Sequence, residues 1–229
     1  MAKTLTSIPG IAHYPHLNKP DTRFDADGTY HVKLRMDTDE PEVAEFIEWI
    51  DAEHEKAKQT FIEKLMSDEK KPLTKAAATK KTKDGDKPYV YEEDEDGEPT
   101  NMVLVNFKMK AHVKSKKTGK EFDLEPKFFD ASGTVLKGNR KPLVYGGSTI
   151  KVAYTPQHWG SIKLGASIRF QMEAIQIINL VTGGGSDNAD DYGFGAESGG
   201  YVAPEADSMP KSSHADDDDD DDDDGTGDF

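Results

Sequence analysis

Seven histidines and no cysteine are the chain's metal-ligating and nucleophilic options. His13 and His16 flank Tyr14-Pro15, and His31 and His54 follow. Imidazoles can ligate zinc or copper. There is no HExxH pattern, no cysteine and no carboxylate at a supporting spacing, so no metal is expected. No Gly-rich loop ends in Gly-Lys-Ser/Thr, and Gly183-Gly184-Gly185-Ser186 reads as a linker. Aspartate and glutamate are plentiful but sit in a tail, a helix and a loop. The chain is expected to be no enzyme and to need no cofactor.

The lysines offer a denser chemistry. Lys108, Lys110, Lys114, Lys116, Lys117 and Lys120 crowd one hairpin, and Arg140, Lys141, Lys151, Lys163 and Arg169 can extend the group. Tyr145, Tyr154, His158 and Trp159 are interleaved. Single-stranded nucleic acid needs cations for its phosphates and flat rings for its unpaired bases. A solvated face also carries lysines, but it does not explain the scarcity of acids. Residues 100–172 hold 13 Lys+Arg against 4 Asp+Glu, a net of +9, whereas residues 1–99 hold 15 against 23, a net of −8. A polyanion partner fits this segregation. Its expected contacts are Lys108, Lys110, Lys114, Arg140, Lys151, His158, Trp159, Lys163 and Arg169. Trp159 ends a strand after Thr155-Pro156-Gln157-His158, a place that suits either an exposed loop or a core ring.

Residues 1–182 balance at 28 basic and 28 acidic side chains, so the whole net charge of −15 lies in residues 183–229. There Asp216, Asp217, Asp218, Asp219, Asp220, Asp221, Asp222, Asp223 and Asp224 run uninterrupted, and the chain ends Asp228-Phe229. Like charges keep such a run extended. It can lie over the chain's own basic groove or reach a basic partner, with Phe229 as the anchor. An acidic solubility tag with an accidental last residue is the plainer reading.

These groups must be held by a body of strands. Thr29–Met36 alternates Tyr30, Val32, Leu34 and Met36 against His31, Lys33 and Arg35. Met102–Val113 alternates likewise, with a return strand from Glu121 to Leu124. Thr149–Tyr154 and Ser161–Val181 read as strands, the latter slipping phase near Glu173 at a bulge or corner. One helix is expected near 40–66, capped by Thr38 or Asp39, with Pro41 in its first turn and Val43, Phe46, Ile47 and Ile50 as its apolar stripe. Residues 67–100 read as a long connection, mobile or binding something. The body suits a small closed barrel or a sandwich. Residues 183–229 read as a flexible Gly-rich linker and a disordered acidic tail. No apolar run is long enough to span a bilayer, and an intracellular protein is the simplest fit.

The order of several segments resembles a known family. MAK opens the chain, Lys19-Pro20-Asp21 and Lys70-Lys71-Pro72 follow, and then come LVYGGSTIKVAY at Leu143–Tyr154 and W…LGASIRFQMEAI ending at Ile175. Thr182–Gly185, Gly200-Tyr201-Val202-Ala203 and the Asp228-Phe229 terminus complete the series. The pattern is similar to the single-stranded DNA-binding proteins of podovirus-type bacterial viruses that encode their own replisome. The resemblance implies an OB-fold, a five-stranded Greek-key barrel with one packed α-helix, spanning residues 1–182. It implies coating of single strands, removal of secondary structure, annealing, and roles in replication, recombination and repair in the host cytoplasm. It also implies a homodimer, and a tail that contacts the viral DNA polymerase and the primase–helicase. Lys3 matches a basic residue tied to annealing in that family. Thr155-Pro156-Gln157-His158 is shorter than the family's loop and lacks its tyrosine, leaving His158 or Trp159 to stack. An acidic-tailed chaperone of basic proteins and an RNA-binding barrel are the rival readings.

Overall fold

The computed structural model describes residues 3–115 and 118–182. Eleven strands and two α-helices follow one another in the order β1 Leu5–Thr6, β2 Gly10–Asp21, β3 Thr29–Asp37, α1 Pro41–Met66, α2 Lys75–Lys81, β4 Tyr89–Glu93, β5 Pro99–Lys110, β6 His112–Lys114, β7 Glu121–Asp123, β8 Lys127–Phe129, β9 Val135–Leu136, β10 Thr149–Ser161 and β11 Gly165–Asn179. A short 3-10 turn, Gly138–Arg140, precedes β10.

The alternation of apolar residues sets the sheet's inner face. Tyr30, Val32, Leu34 and Met36 of β3 are buried, as are Val103, Val105, Phe107 and Met109 of β5. Ile150, Val152 and Tyr154 of β10 meet Ile168, Phe170, Met172, Ile175 and Ile177 of β11 in the same core. The phase slip near Glu173 is a bulge. Ala153 pairs with Ala174 and Tyr154 with Met172, so Glu173 is the extra residue.

The main sheet has nine strands, in the order β1-β10-β2-β3-β5-β11-β8-β9, with β4 beside β5 and β10 also paired with β11. Its topology is OB-like, but it is not the closed five-stranded barrel expected. Four further strands, β1, β4, β8 and β9, join the sheet, and two shared strand edges narrow its pairing. β4 pairs with β5 at Val103, Leu104 and Val105, so β11 reaches that edge only at Phe107 and Lys108. In the same way β1 takes the edge of β10 at Ala153 and Tyr154, leaving β2 only Thr149 and Ile150. The result is a curled sheet with two seams of two residue pairs each, ending at β1 and β9.

The expected single helix is also corrected. α1 is the long helix read from the sequence, starting at Pro41 and burying Val43, Ile47, Ile50, His54, Ala57, Phe61 and Ile62. Its N-cap is Glu40, with no side-chain cap bond, rather than Thr38 or Asp39. Phe46 and Trp49 stack on each other and on Phe170, which fixes α1 against the sheet. The second helix, α2, lies in the connection over 67–100. Thr74 caps it by accepting a bond from the Ala77 amide. Lys83 and Gly85 then exchange backbone hydrogen bonds with Ala166 of β11, and β4 follows. The connection is thus docked structure, because its backbone groups find partners on β11 and β5. The disordered tail expected over 183–229 lies outside the described residues.

β6 and β7 form a separate two-stranded ribbon, with Ala111 breaking the run from β5. His112 Nδ1 lies 2.8 Å from Asp123 Oδ1 across it. That bond raises the His112 pKa above its ordinary 6.5. A raised folded value means the contribution is complete below the unfolded pKa and is lost as pH rises through the folded one. The protection factors of the ribbon amides, with the base-catalysed rise in intrinsic exchange divided out, should therefore be lower above that value than below 6.5. An NMR titration of the imidazole should report the raised pKa, and Asp123→Asn should return it toward the ordinary value.

Candidate nucleic-acid interface

The outward residues of β2, β3, β5, β11 and β10 form one continuous face. Cross-strand pairing sets its rows. His16 pairs with His31, His31 with Lys108, and Lys108 with Gln171, which in turn meets Thr155. The next row runs His13, Lys33 and Asn106, while Arg169 sits opposite Gln157. Arg169 Nε donates to Gln157 Oε1 at 3.0 Å, which holds the guanidinium along the sheet. Among the described residues Lys33, Lys108 and Arg169 make no ion pair, so their charge is available to an anion. Arg35 differs. Its guanidinium meets Glu92 of β4 at 2.8 Å, an interaction that raises the arginine pKa and lowers the glutamate's. Burial, ahead of smaller terms from His16 and Lys108, holds the His31 pKa below its ordinary value against the pull of Asp21.

Flat rings stand beside these cations. Tyr14 is 69% exposed, has φ of 48°, and stacks on His13 at 4.2 Å between centroids. A non-glycine residue in that backbone region is uncommon and marks a functional or strained position. His16 and His31 lie 4.7 Å apart in a tilted pair. If Tyr14 stacks on a base, Tyr14→Ala should weaken oligo-dT binding about fivefold, the lower end of the ~1–3 kcal/mol per stacked base. No charge is removed, so the dependence of affinity on salt should stay the same in fluorescence titrations.

The residues expected from sequence divide between this face and other places. Lys108 and Arg169 are on it. Lys110 ends β5 and is paired with Asp25 at 3.2 Å. Lys114 lies in the β6–β7 ribbon, bound to Glu121 at 2.8 Å. Arg140 is exposed on the 3-10 turn, and Lys163 is exposed in the β10–β11 turn. Lys151 points to the outer side of β10 but far along it, opposite Gln176 and beside Phe129 at a cleft of about 250 Å³. Lys3 is exposed just before β1, next to Thr4, whose hydroxyl donates to Glu173 at 3.2 Å. His158 does not face the cations. Its Nε2 lies 3.0 Å from Glu53 Oε2 of α1, at the helix–sheet junction. Trp159 is half-buried opposite Ser167. The acidic residues Asp216–Asp224, Asp228 and Phe229 lie outside the described residues.

His13, Tyr14, His16, His31 and Lys33 complete the face but were not among the expected contacts. The alternation of Thr29–Met36 already puts His31 and Lys33 opposite the core. No comparable signal marks Tyr14, because Pro15 interrupts any regular pattern in β2. Of the histidines considered as a cluster, His54 stands apart. It is buried between Ser167 Oγ at 3.2 Å and Asp84 Oδ1 at 3.0 Å, so it ties α1 to β11.

Comparison with known proteins gives a consistent result. The family model described as Single-stranded DNA-binding protein, Bacteriophage T7 matches residues 9–180. The Single-stranded DNA-binding protein of Enterobacteria phage T3 is 29% identical over 219 residues, covering 89% of this chain and 87% of that one. The protein of the same name from Escherichia phage T7 is 30% identical over 212 residues, covering 88% and 85%. The crystal structure of the single-stranded DNA-binding protein encoded by bacteriophage T7 superposes with a TM-score of 0.63 at 27% identity, over 89% of this chain and all of that one.

Proposed function

This chain belongs to the family of the bacteriophage T7 single-stranded DNA-binding protein, and from that premise we propose how its sheet engages DNA. It is a single-stranded DNA-binding protein that coats strands during DNA replication, a stoichiometric rather than catalytic role. The strand lies along the outward face of β2, β3, β5 and β11. Lys33, Lys108 and Arg169 hold successive phosphates, while Tyr14 and the neighbouring imidazoles take bases. The observation that supports this placement is the coincidence, on one continuous face, of an exposed, strained tyrosine with three cations that make no ion pair among the described residues. Lys3, Lys110, Lys114, Arg140, Lys151 and Lys163 form an outlying basic rim that extends the path. His158, held by Glu53, and the half-buried Trp159 lie at the helix end of the same sheet, beside this path.

Binding opens hairpins, which aids a polymerase and promotes annealing in recombination and repair. The protein works as a homodimer in the host cytoplasm. The run Asp216–Asp224 competes with DNA for the basic face, and DNA displaces it. The freed segment with Asp228 and Phe229 then contacts the viral DNA polymerase and the primase–helicase. Charge segregation between residues 100–172 and 183–229 supports this exchange.

A salt titration with fluorescent oligo-dT, equal-length duplex and oligo-rU tests the scheme. The full chain should prefer the single strand, with a steep salt slope, and a form lacking residues 210–229 should bind more tightly at low salt. Equal affinity of the two forms at low salt would remove the competing tail from the mechanism. Equal affinity for duplex would remove the single-strand face, and preference for oligo-rU would make the strand an RNA.

A further inference from the structure

We propose that His16, Asp21 and His31 form a binding site for one transition-metal ion of the zinc class. His16 and His31 are direct partners across β2 and β3, so both imidazoles rise from the same outer face. A register irregularity after His16 takes up extra residues of β2, so Asp21 pairs with Thr29, two residues from His31 on the same side of β3. The two ring nitrogens and a carboxylate oxygen all lie within 4.8 Å of one another, and all three residues are half-buried. His31 Nε2 is 3.5 Å from Asp21 Oδ2. Donors bound to one zinc ion at ~2.0–2.2 Å sit roughly 3–3.5 Å apart. Side-chain rotation of about an ångström therefore closes the set.

The donor chemistry selects the ion. Two imidazoles and one carboxylate suit zinc, cobalt, nickel or copper, and carry too few oxygens for calcium or magnesium. Three protein ligands leave a fourth position to water. Two neighbouring cations bear on the site. Arg23 occupies Asp21 at 2.9 Å, but its side chain is 68% exposed and can leave the carboxylate without disturbing the core. Lys108, the β5 partner of His31, opposes a second positive charge and sets a ceiling on affinity. The site stands on these three residues alone and does not rest on where DNA binds.

Cobalt(II) added to the full-length, metal-free protein is the probe. One equivalent should bring up visible d–d absorption typical of nitrogen ligands, and one equivalent of zinc should remove it. His16→Gln and His31→Gln should each weaken cobalt binding about tenfold or more, and the double variant should abolish the absorption. Circular dichroism of the variants should match the parent, because both side chains lie on the outer face. His214, beside the aspartate run, is the rival ligand, and His214→Gln should leave the spectrum intact. Absorption that survives in His16→Gln/His31→Gln, or vanishes in His214→Gln, would place the metal in the tail and overturn the proposal. So would the absence of any absorption in the parent protein.

Discussion

Replacing Lys33, Lys108 and Arg169 together by alanine should lower affinity for oligo-dT by about 100-fold at roughly 0.1 M salt. Each neutralised phosphate on a single strand contributes about 0.7 to the slope of log K against log salt. Three lost contacts remove about 2 from that slope, or about two decades between 0.1 M and 1 M. Parent and variant affinities should converge as salt approaches the upper limit. The three side chains stand on the outer face and make no ion pair among the described residues. Thermal stability should therefore stay within about 0.5 kcal/mol of the parent. A triple variant with an unchanged slope would move the DNA path to the rim formed by Lys114, Lys151 and Lys163. Arg35→Ala is the informative contrast. Arg35 is already committed to Glu92, so its loss should change the slope by less than any one of the three.

The second large effect concerns Gly165, at the start of β11. Its φ is +89°, and a Cβ there would lie 2.7 Å from the backbone of Asp84, Gly85 and Lys83. Backbone cannot swing aside as a flexible side chain can, so Gly165→Ala must push the docked connection off β11. Backbone strain of about 1–2 kcal/mol plus the clash gives a loss of about 3 kcal/mol. For a chain of this size that lowers Tm by roughly 6–12 °C. Gly97→Ala separates the two contributions. Gly97 also has a positive φ, of 81°, but nothing lies within 4 Å of its Cβ position. It should cost only the backbone strain, about 1 kcal/mol. Equal losses in the two variants would mean that the contact between residues 83–85 and β11 contributes nothing to stability.

Legibility in the sequence followed how far each element depends on distant partners. β3, β5, β10 and β11 bury one face each, so strict alternation betrayed them, down to the bulge at Glu173. α1 was visible because its stripe packs on that sheet. α2 and β4 were not, since KAAATKK has one buried residue and YVYEE has none. Both are held by backbone bonds to elements far away in sequence, which leave no periodic trace. The two shared edges that narrow the pairing of β11 with β5 and of β10 with β2 are invisible for the same reason. For the site, charge counting named Lys108 and Arg169, which stand on one face, together with Lys110 and Lys114, whose carboxylate partners across a turn or strand leave no trace in a count. His158 looked like a stacking ring, yet Glu53 of α1 claims it, a contact spanning 105 positions.

β11 touches β10 along its whole length, runs parallel to β5 and β8, and is clipped to Asp84 by a further bridge. It is also the last strand among the described residues. On the ribosome, residues up to about Lys163 emerge with their apolar inner faces unanswered, because Phe170, Met172 and Ile175 are still to come. Nothing local can substitute, since parallel partners must be brought together over long loops. The core is therefore completed late, once Asn179 has cleared the exit tunnel. A nonsense mutation before that point should leave the inner faces of β3 and β5 uncovered and open to proteases.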